Sequence, residues 1–135
     1  MNKKTNTRSV GARYEELVAQ YLTRQGAKIV TRNFRTRNGE IDLVVRDGSY
    51  LVFLEVKYRS SGKAGTGAEA VDLKKQNTIC RISDFYRVRF ALPDSTPVRY
   101  DVIECAAGEH GEIVLNWYKN AFPYHPAGGK ACRSF

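Results

Sequence analysis

Several features that define common protein classes are absent from this 135-residue chain. No apolar run approaches the roughly 20 residues needed to span a bilayer, and the first residues, MNKKTNTRSV, lack the apolar core of a secretion signal. The three cysteines, Cys80, Cys105 and Cys132, are far apart and lack the CxxC spacing of zinc and redox sites. We therefore expect reduced thiols and a cytoplasmic protein that does not enter a membrane.

Motifs of familiar enzyme sites are also missing. The stretch SSGKAGTG at residues 60–67 does not fit the GxxxxGK[ST] pattern of a nucleotide-binding P-loop, so we interpret it as a flexible loop. The histidines His110 and His125 are not spaced as in HExxH metalloproteases. These absences leave the charged residues as the main indication of function.

The chain is rich in positive charge, and most of its excess of basic over acidic residues lies at one end. Lysine and arginine total 22 against 14 acidic residues, a net charge of +8. Residues 1–37 contain nine of the basic residues but only two acidic ones, Glu15 and Glu16. A strongly basic region fits a polyanionic partner, and the lack of apolar segments favours nucleic acid over a membrane surface. The alternative is that the charge serves only solubility.

The pattern of apolar residues predicts a single α/β domain. Apolar positions at helical spacing predict a first helix from Tyr14 to about Gly26, and a capping box at Thr66–Glu69 predicts a second helix that continues to Pro93. Apolar runs between polar or glycine-containing breaks predict five strands, over residues 27–33, 39–46, 50–58, 98–105 and 112–117. The length suits one domain, which we place at residues 10–122, between a flexible basic tail over residues 1–9 and a C-terminal tail over residues 123–135.

Two neighbouring strands bring acidic side chains together. A tight turn at Asp47–Gly48 would form an antiparallel hairpin in which Asp42 faces Phe53. In the same register Glu40 faces Glu55, and Asp42 and Glu55 become diagonal neighbours within reach of one ion. A four-residue turn would place Asp42 directly opposite Glu55, whereas a three-residue loop would send these two side chains to opposite faces.

Alternation then places charged side chains on one side of the sheet. Acids that converge on a largely buried strand repel each other, so either one takes up a proton or a cation lies between them. With oxygen ligands that cation would be Mg²⁺ or Mn²⁺. The alternative is an edge strand with solvated charges in ordinary surface pairs. The residues predicted to share this face are Glu40, Asp42, Glu55 and Lys57.

One charged residue on each predicted helix can also reach this region. Glu15 lies at the edge of the apolar stripe of the first helix. Lys75 falls in the middle of the apolar stripe of the second helix, where it would either extend its amine to water or point a second cation at a phosphate.

The motifs on these elements resemble a known family. The runs GEIDLV at Gly39–Val44 and LVFLEVKYR at Leu51–Arg59 closely resemble the YraN-like family of uncharacterised bacterial proteins. That family is in turn similar to the PD-(D/E)xK nuclease superfamily, which includes restriction endonucleases and archaeal Holliday-junction resolvases. Further landmarks occur in the order expected of the family, namely Gly11 with Glu15, Gly26, Arg32–Arg35, Ala70–Val71 with Lys75, Arg99–Val102 and Asn120–Phe122.

The resemblance implies a fold, a site and an activity. The fold would be the three-layer restriction endonuclease-like α/β fold, with a central mixed sheet of about five strands flanked by helices. The activity would be metal-dependent hydrolysis of DNA, with branched or junction DNA as one option. In the superfamily motif the two acids correspond to Asp42 and Glu55, the lysine to Lys57, the helical acid to Glu15, and the basic position of the next helix to Lys75, beside Gln76.

These assignments define a hypothesis with named roles. Asp42, Glu55 and the Val56 carbonyl would hold Mg²⁺ or Mn²⁺, with Glu15 as a direct or water-mediated ligand. Lys57 would activate the attacking water or stabilise the phosphate, and Lys75 would neutralise a phosphate oxygen. The residues expected to contact nucleic acid are Arg13, Arg32, Arg35, Arg37, Arg59, Lys63, Lys75 and Gln76.

Partners and alternatives complete the prediction. DNA is expected in preference to RNA, and the resemblance to junction resolvases, which are dimers, implies a homodimer. One competing interpretation is a non-catalytic nucleic-acid-binding module that keeps the nuclease fold. Another is a small interaction subunit whose basic end docks on an acidic protein.

Overall fold

The described part of the chain forms a five-stranded mixed sheet with one helix on each face. The computed structural model describes residues 3–59 and 71–126, with the side chains of residues 13–59 and 71–126. This arrangement confirms the predicted α/β fold class and is consistent with the restriction endonuclease-like fold. In chain order the elements are α1 (Lys3–Arg24), β1 (Lys28–Thr36), β2 (Gly39–Asp47), β3 (Tyr50–Arg59), α2 (Leu73–Arg89), β4 (Val98–Ala107) and β5 (Ile113–Tyr118).

The strands lie in the sheet in the same order as in the sequence, β1-β2-β3-β4-β5. Neighbouring strands are antiparallel except β3 and β4, which are parallel. Parallel strands cannot be joined by a tight turn, and the connection between β3 and β4 contains α2. The central position of β3 follows from this order.

A hydrophobic cluster lies on each side of β3. Its residues Leu51, Val52, Phe53 and Leu54 are all buried, alternating between the two faces. Since a strand covered on both sides buries every side chain, the continuous apolar run predicts the central position correctly. The cluster under α2 includes Phe53, Tyr86 and Tyr100, and the cluster under α1 includes Val18, Leu22 and Ile103.

The predicted register of the β2–β3 hairpin is wrong by two residues. Asp47 pairs with Tyr50, so the turn residues are Gly48 and Ser49 instead of Asp47 and Gly48. Asp47 stays in the strand because Arg99 and Lys119 hold its carboxylate, at 2.8 and 3.2 Å. Gly48 takes the left-handed turn position with a φ of 62°.

This register changes the residues that lie opposite the acids, but it shifts the two strands by an even number of residues. Phe53 faces Val44 instead of Asp42, and continuing the register places Asp42 opposite Glu55. A shift of two residues keeps each side chain on its side of the strand, so Asp42 and Glu55 still approach each other.

The helices differ from prediction at their starts. Helix α1 begins at Lys3 and therefore extends into the segment predicted to be a flexible tail. Helix α2 begins at Leu73 with Asp72 as its N-cap, so the predicted continuous helix from the capping box at residues 66–69 is wrong at residues 71–72. The capping box itself lies outside the described residues. Of the predicted C-terminal tail, residues 123–126 are described, and the division into domain and tails stays a prediction.

The five predicted strands are present, with ends that differ by up to three residues from the prediction. Neither described helix combines the length and the apolar character that crossing a lipid bilayer requires.

Candidate functional site

Asp42 lies where β2 and β3 stop pairing. The ladder between these strands ends at Leu43 and Leu54, and the next position in the register is Asp42 opposite Glu55. There Oδ2 of Asp42 accepts a hydrogen bond from the backbone N–H of Val56 at 2.8 Å. The carboxylate is therefore held between the two strands by a donor that would otherwise be available to the sheet.

The alternation of β2 is interrupted at Asp42. Ile41 and Val44 both belong to the cluster under α2, although residues three apart should face opposite sides of a sheet. In β1, Asn33 lies opposite Asp42 and has a left-handed φ of 53°. Both strands thus change face at the same pair of residues, and the side chain of Asp42 leaves the two packed layers.

Because of this interruption, Glu40 does not share the face of Glu55, contrary to our expectation. Ile41 packs against α2, so its neighbour Glu40 points to the opposite side of β2. There Oε2 of Glu40 lies 3.6 Å from Nε of Arg35. The charge of Glu40 still contributes to the raised pKa of Asp42.

Burial raises the pKa of both Asp42 and Glu55. The pKa of Glu55 rises to about 7, first because the group is removed from water and second because the Asp42 carboxylate is beside it. The pKa of Asp42 is raised chiefly by burial, although the hydrogen bond from Val56 opposes this rise. Because each acid affects the pKa of the other, Glu55, whose pKa is about 7, is protonated below that pH while it lies beside Asp42.

Two lysines offset part of the negative charge. Nζ of Lys75 lies 3.7 Å from Oε2 of Glu55, and the charges of Lys75 and Lys57 both lower the pKa of Glu55. Lys57 follows Glu55 by two residues in β3 and lies on the same face. Lys75 is in the first turn of α2, where its backbone N–H donates to the side chain of Asp72 at 2.8 Å. The pKa of Glu55 nevertheless stays raised, because burial and the charge of Asp42 outweigh the effect of the two lysines.

Glu15 approaches the same region from α1. A small cavity is lined by Glu15, Asp42 and Val56, together with Arg32 and Tyr58. The space in it that water can occupy is about 20 Å³, which is room for one water molecule or one ion. The structure therefore brings together three of the four residues that the sequence predicts as metal ligands around this cavity, and the fourth, Glu55, lies close enough to Asp42 for its pKa to be affected.

The donors that meet here fit magnesium or manganese. Among the described residues, no group of three or more His, Cys, Asp or Glu side chains is arranged to hold an ion. The set consists of Asp42, Glu55 beside it, Glu15 across the cavity and the backbone of Val56, which also lines the cavity. Mg²⁺ in proteins is usually bound through one or two carboxylates and keeps several waters. A cation would offset the repulsion between these two neighbouring, partly buried acids, so the set fits such an ion, and metal binding stays a prediction.

The arginines predicted to contact nucleic acid in the N-terminal half lie at the surface. Arg32 lies 3.4 Å from Glu16 and Arg35 lies 3.6 Å from Glu40. Solvent-accessible pairs of this kind contribute at most about 1 kcal/mol, so a phosphate can compete for both arginines. The exposed members without an ion pair to any described residue are Arg13 and Arg37.

Arg59 forms an ion pair with a buried acid, Glu104, which is not among the predicted site residues. Nε of Arg59 lies 3.1 Å from Oε2 of Glu104, whose side chain is 1% exposed. The hydroxyl of Tyr118 donates to the same carboxylate at 3.3 Å. Because a buried carboxylate needs such partners, Arg59 has a structural role here. In the sequence, the only indication of a buried Glu104 is that this acid lies within the mainly apolar run of β4.

The remaining predicted nucleic-acid contacts differ in accessibility. The Gln76 amide donates to the Val71 carbonyl at 2.9 Å and bonds the ring of His125 at 2.9 Å, so it ties the C-terminal segment to the start of α2. Lys75 is 44% exposed and can meet a phosphate as well as Glu55. Lys63 lies outside the described residues.

Comparison with known proteins identifies a family model and relatives that align with most of this chain. The family model described as "Uncharacterised protein family UPF0102" matches residues 14–105. A "UPF0102 protein" of Lachnoclostridium phytofermentans is 42% identical over 122 residues, 90% of this chain and 96% of the relative. One of Carboxydothermus hydrogenoformans is 46% identical over 119 residues, covering 88% and 99%. "UPF0102 protein STH1475" of Symbiobacterium thermophilum is 40% identical over 116 residues, covering 86% and 98%. None of these names states an activity.

Proposed function

The chain belongs to the uncharacterised protein family UPF0102, the YraN-like family that its motifs resemble, and we propose that it is a metal-dependent nuclease that hydrolyses phosphodiester bonds in DNA. The single observation behind this proposal is the buried carboxyl pair of Asp42 and Glu55, whose pKa values are raised. Two acids placed together in a partly buried site destabilise a fold. Such pairs are typical of sites that bind a cation or transfer a proton.

The proposed ligands of Mg²⁺ or Mn²⁺ are Asp42, Glu55 and the Val56 carbonyl, with Glu15 joining them directly or through water. Such an ion supplies a nucleophile by lowering the pKa of a bound water, and it offsets the charge that develops on the phosphate. For both carboxyl groups to bind the ion, Glu55 must first lose its proton, which its raised pKa retains up to about pH 7. Asp42 is oriented for this role by the N–H of Val56, which fixes one of its two oxygens.

The lysines act on the substrate. Lys57 shares the face of Glu55 and would either take a proton from the attacking water or donate a hydrogen bond to the phosphate. Lys75 contacts Glu55 and is half-exposed, so it can transfer its interaction from Glu55 to an incoming phosphate oxygen. Both lysines favour an anionic substrate at the carboxyl pair.

Nucleic acid is the polyanion that fits the surface around the site. Arg32 lines the cavity beside Asp42, and Arg35 and Arg37 lie on the strand and turn next to it. These side chains would contact the phosphate backbone, which fixes position without reading sequence. DNA in preference to RNA, branched or junction DNA as the form that is cut, a homodimer and a cytoplasmic location are the further parts of this proposal.

A non-catalytic nucleic-acid-binding module is the second candidate. Within the described residues the carboxylate of Asp42 accepts a hydrogen bond from Val56 and that of Glu55 lies 3.7 Å from Lys75, so protein groups already contact both acids. A protein of this kind would bind DNA through its basic surface alone, with equal affinity in Mg²⁺ and in EDTA. Replacement of Asp42 would leave that affinity unchanged.

Cleavage assays separate the two candidates. We expect the purified protein to cut at least one form in a panel of linear, nicked, flapped and four-way-junction DNA, in Mg²⁺ or Mn²⁺ but not in EDTA. Asp42→Asn keeps the shape of the side chain and removes its charge, so it should lower the rate at least about 100-fold. Asp94→Asn, which changes an exposed acid after α2, is the matched control and should cut like the wild type.

Two results would contradict the nuclease. Equal rates for Asp42→Asn and the wild type would mean that the cutting comes from another site or another protein. Metal-independent binding to DNA with no cleavage of any form would favour the non-catalytic module.

A further inference from the structure

Aromatic rings are exposed where α2 meets β1. Phe85 is 56% exposed and Phe90 is 45% exposed. Both lie next to the half-buried Phe34 of β1, with 6.2 Å between ring centroids in each pair. Large exposed apolar groups that cluster in this way mark a binding surface more often than scattered ones do.

Three basic residues of α2, Lys74, Arg81 and Arg89, lie on the same side of the helix as Phe85. The α2 sequence LKKQNTICRISDFYRVR contains five basic residues and a single acid, Asp84. Asp84 accepts a hydrogen bond at 2.8 Å from the hydroxyl of Tyr124, so its charge is partly engaged. The guanidinium of Arg89 lies over the ring of Phe90, 5.0 Å from its centroid. Residues spaced by three or four share a helix face, and here they are Lys74, Thr78, Arg81, Phe85 and Arg89.

The side of α2 that carries Lys74, Thr78, Arg81, Phe85 and Arg89 begins beside the carboxyl pair and runs toward the C-terminal end of the helix. Lys74 directly precedes Lys75, which pairs with Glu55. A Cβ atom at Gly39 would lie 3.4 Å from Cγ2 of Thr78, so the turn between β1 and β2 borders this side of the helix. From Lys75 to Phe85 the helix rises about 15 Å. At about 3.4 Å per nucleotide along one strand, this distance corresponds to about four nucleotides.

We propose that this surface binds a single-stranded segment of nucleic acid through its bases and phosphates. We call it the aromatic flank and define it as Phe34, Phe90 and the α2 residues Lys74, Thr78, Arg81, Phe85 and Arg89. Unpaired bases stack on Phe85 and Phe90, and Arg81 and Arg89 contact phosphates between them. Proteins that bind single strands combine a basic groove with such stacking rings, which a duplex cannot use because its bases are stacked inside.

The inference narrows the substrate class and in that respect rests on the proposed nuclease function. A strand that runs from the aromatic flank to Lys75 places a phosphate near Glu55 and Lys57. The expected substrate is therefore DNA with an unpaired stretch next to the bond that is cut, such as a flap, a gap or an overhang.

Charge argues against two other occupants. An interfacial membrane helix buries a continuous apolar stripe, whereas Arg81 and Arg89 lie on either side of Phe85 on this flank. In a twofold dimer the same patch meets itself, so the arginines of two copies would face each other and repel. A polyanion with flat apolar groups satisfies both the charges and the rings.

Binding in EDTA tests the aromatic flank without cleavage. We would measure fluorescence anisotropy of a labelled single-stranded oligothymidylate and of a blunt duplex of equal length at one salt concentration. The wild type should prefer the single strand, and Phe85→Ala should weaken single-strand binding about tenfold while leaving duplex binding unchanged. Phe85→Trp keeps a ring and should retain the affinity. Val88→Ala removes an apolar side chain that is 81% exposed but has no ring, and it should bind like the wild type.

Several outcomes would overturn the inference. These are no preference for the single strand, an unchanged Phe85→Ala affinity, or an equal loss in Val88→Ala. If Phe85→Ala keeps its DNA affinity but no longer forms a dimer in sedimentation, the flank serves self-association. If it keeps its DNA affinity but no longer binds anionic phospholipid vesicles, the flank contacts a membrane. If Phe85 matters for binding but no substrate is cut, the nuclease fails and the flank stands. If cleavage depends on Asp42 but Phe85→Ala binds normally, only the flank fails.

Discussion

Lys57 and Glu104 are partners in the parallel pair of β3 and β4. Paired residues of neighbouring strands share a face, so a buried acid lies beside the proposed catalytic lysine. The Glu104 carboxylate is bound by Arg59 at 3.1 Å and by the hydroxyl of Tyr118 at 3.3 Å. Arg59 thus satisfies an acid that would otherwise attract Lys57, and it leaves the lysine for the carboxyl pair and the substrate.

Replacement of Arg59 should destabilise the fold. Arg59→Ala leaves the Glu104 carboxylate buried without its cation, and we expect the free energy of unfolding to fall by about 3 kcal/mol in urea denaturation. Arg35→Ala breaks a solvent-accessible pair and should change it by less than about 1 kcal/mol. The double variant Arg59→Ala with Glu104→Gln should recover part of the loss. A loss in Arg59→Ala no larger than in Arg35→Ala would show that the buried pair contributes little.

The stability of the metal-free protein should decrease as pH rises from about 5 to 8. The pKa of Glu55 is about 7 in the fold, above its ordinary value of 4.5. Between these values the folded protein binds more protons than the unfolded chain, so raising the pH favours unfolding. The difference corresponds to about 3 kcal/mol at most, and its effect is complete once the pH exceeds the folded-state pKa.

Glu55→Gln isolates this effect because glutamine resembles the protonated acid. In EDTA the variant should be more stable than the wild type at pH 8 and nearly equal to it at pH 5, by thermal or urea unfolding. Asp94→Asn removes one negative charge at the surface and should follow the wild-type profile. Parallel profiles for Glu55→Gln and the wild type would mean that Glu55 is not titrating in this range.

The two lysines near the carboxyl pair should differ in their effect on cleavage. Lys57→Met removes the group closest in sequence to the ligands, and we expect a loss of at least about 100-fold in the single-turnover rate. Lys75→Met should reduce substrate binding more than the rate, because its charge is half-exposed. Lys28→Met, at an exposed position at the start of β1, is the control for loss of one positive charge. Equal effects of all three would indicate general electrostatics in place of separate roles.

Gly39 should be intolerant of any side chain. Its φ of 142° lies in a region that other residues rarely adopt, and an added Cβ would meet Thr78 and Ile82 at 3.4 Å. Gly39→Ala should therefore lower the free energy of unfolding by about 2 kcal/mol or more. Gly48→Ala is the matched control, since its φ of 62° is left-handed but nothing lies within 4 Å of an added Cβ. It should cost about 1 kcal/mol. Equal losses would mean that the φ of Gly39 costs an alanine no more than the left-handed φ of Gly48.

Much of the fold could be predicted from local pattern. The run from Leu51 to Leu54 is apolar at every position, which places β3 in the centre of the sheet. The hairpin register is harder to predict, because Asp47–Gly48 is a common turn pair but Asp47 is the last residue of the strand here. Asp47 is kept in the strand by Arg99 and Lys119, which are distant in sequence.

The geometry of the site depends on contacts that no local pattern contains. The change of face at Asp42 needs the left-handed Asn33 on the neighbouring strand. Glu104 comes beside Lys57 only because a crossover makes β3 and β4 parallel. The alternation of side chains along two neighbouring strands is therefore enough to predict that Asp42 and Glu55 approach each other. The sequence does not predict the hydrogen bond from Val56 to Asp42 or the buried partner of Arg59.

Diffraction from crystals soaked in Mn²⁺ tests metal binding at Asp42 and Glu55 most directly, because the anomalous signal locates the ion without any substrate. We predict one peak within about 2.1 Å of carboxylate oxygens from both residues, and its absence in Asp42→Asn. A wild-type map at pH 8 without a peak there, where Glu55 is ionised, would contradict the proposed metal site.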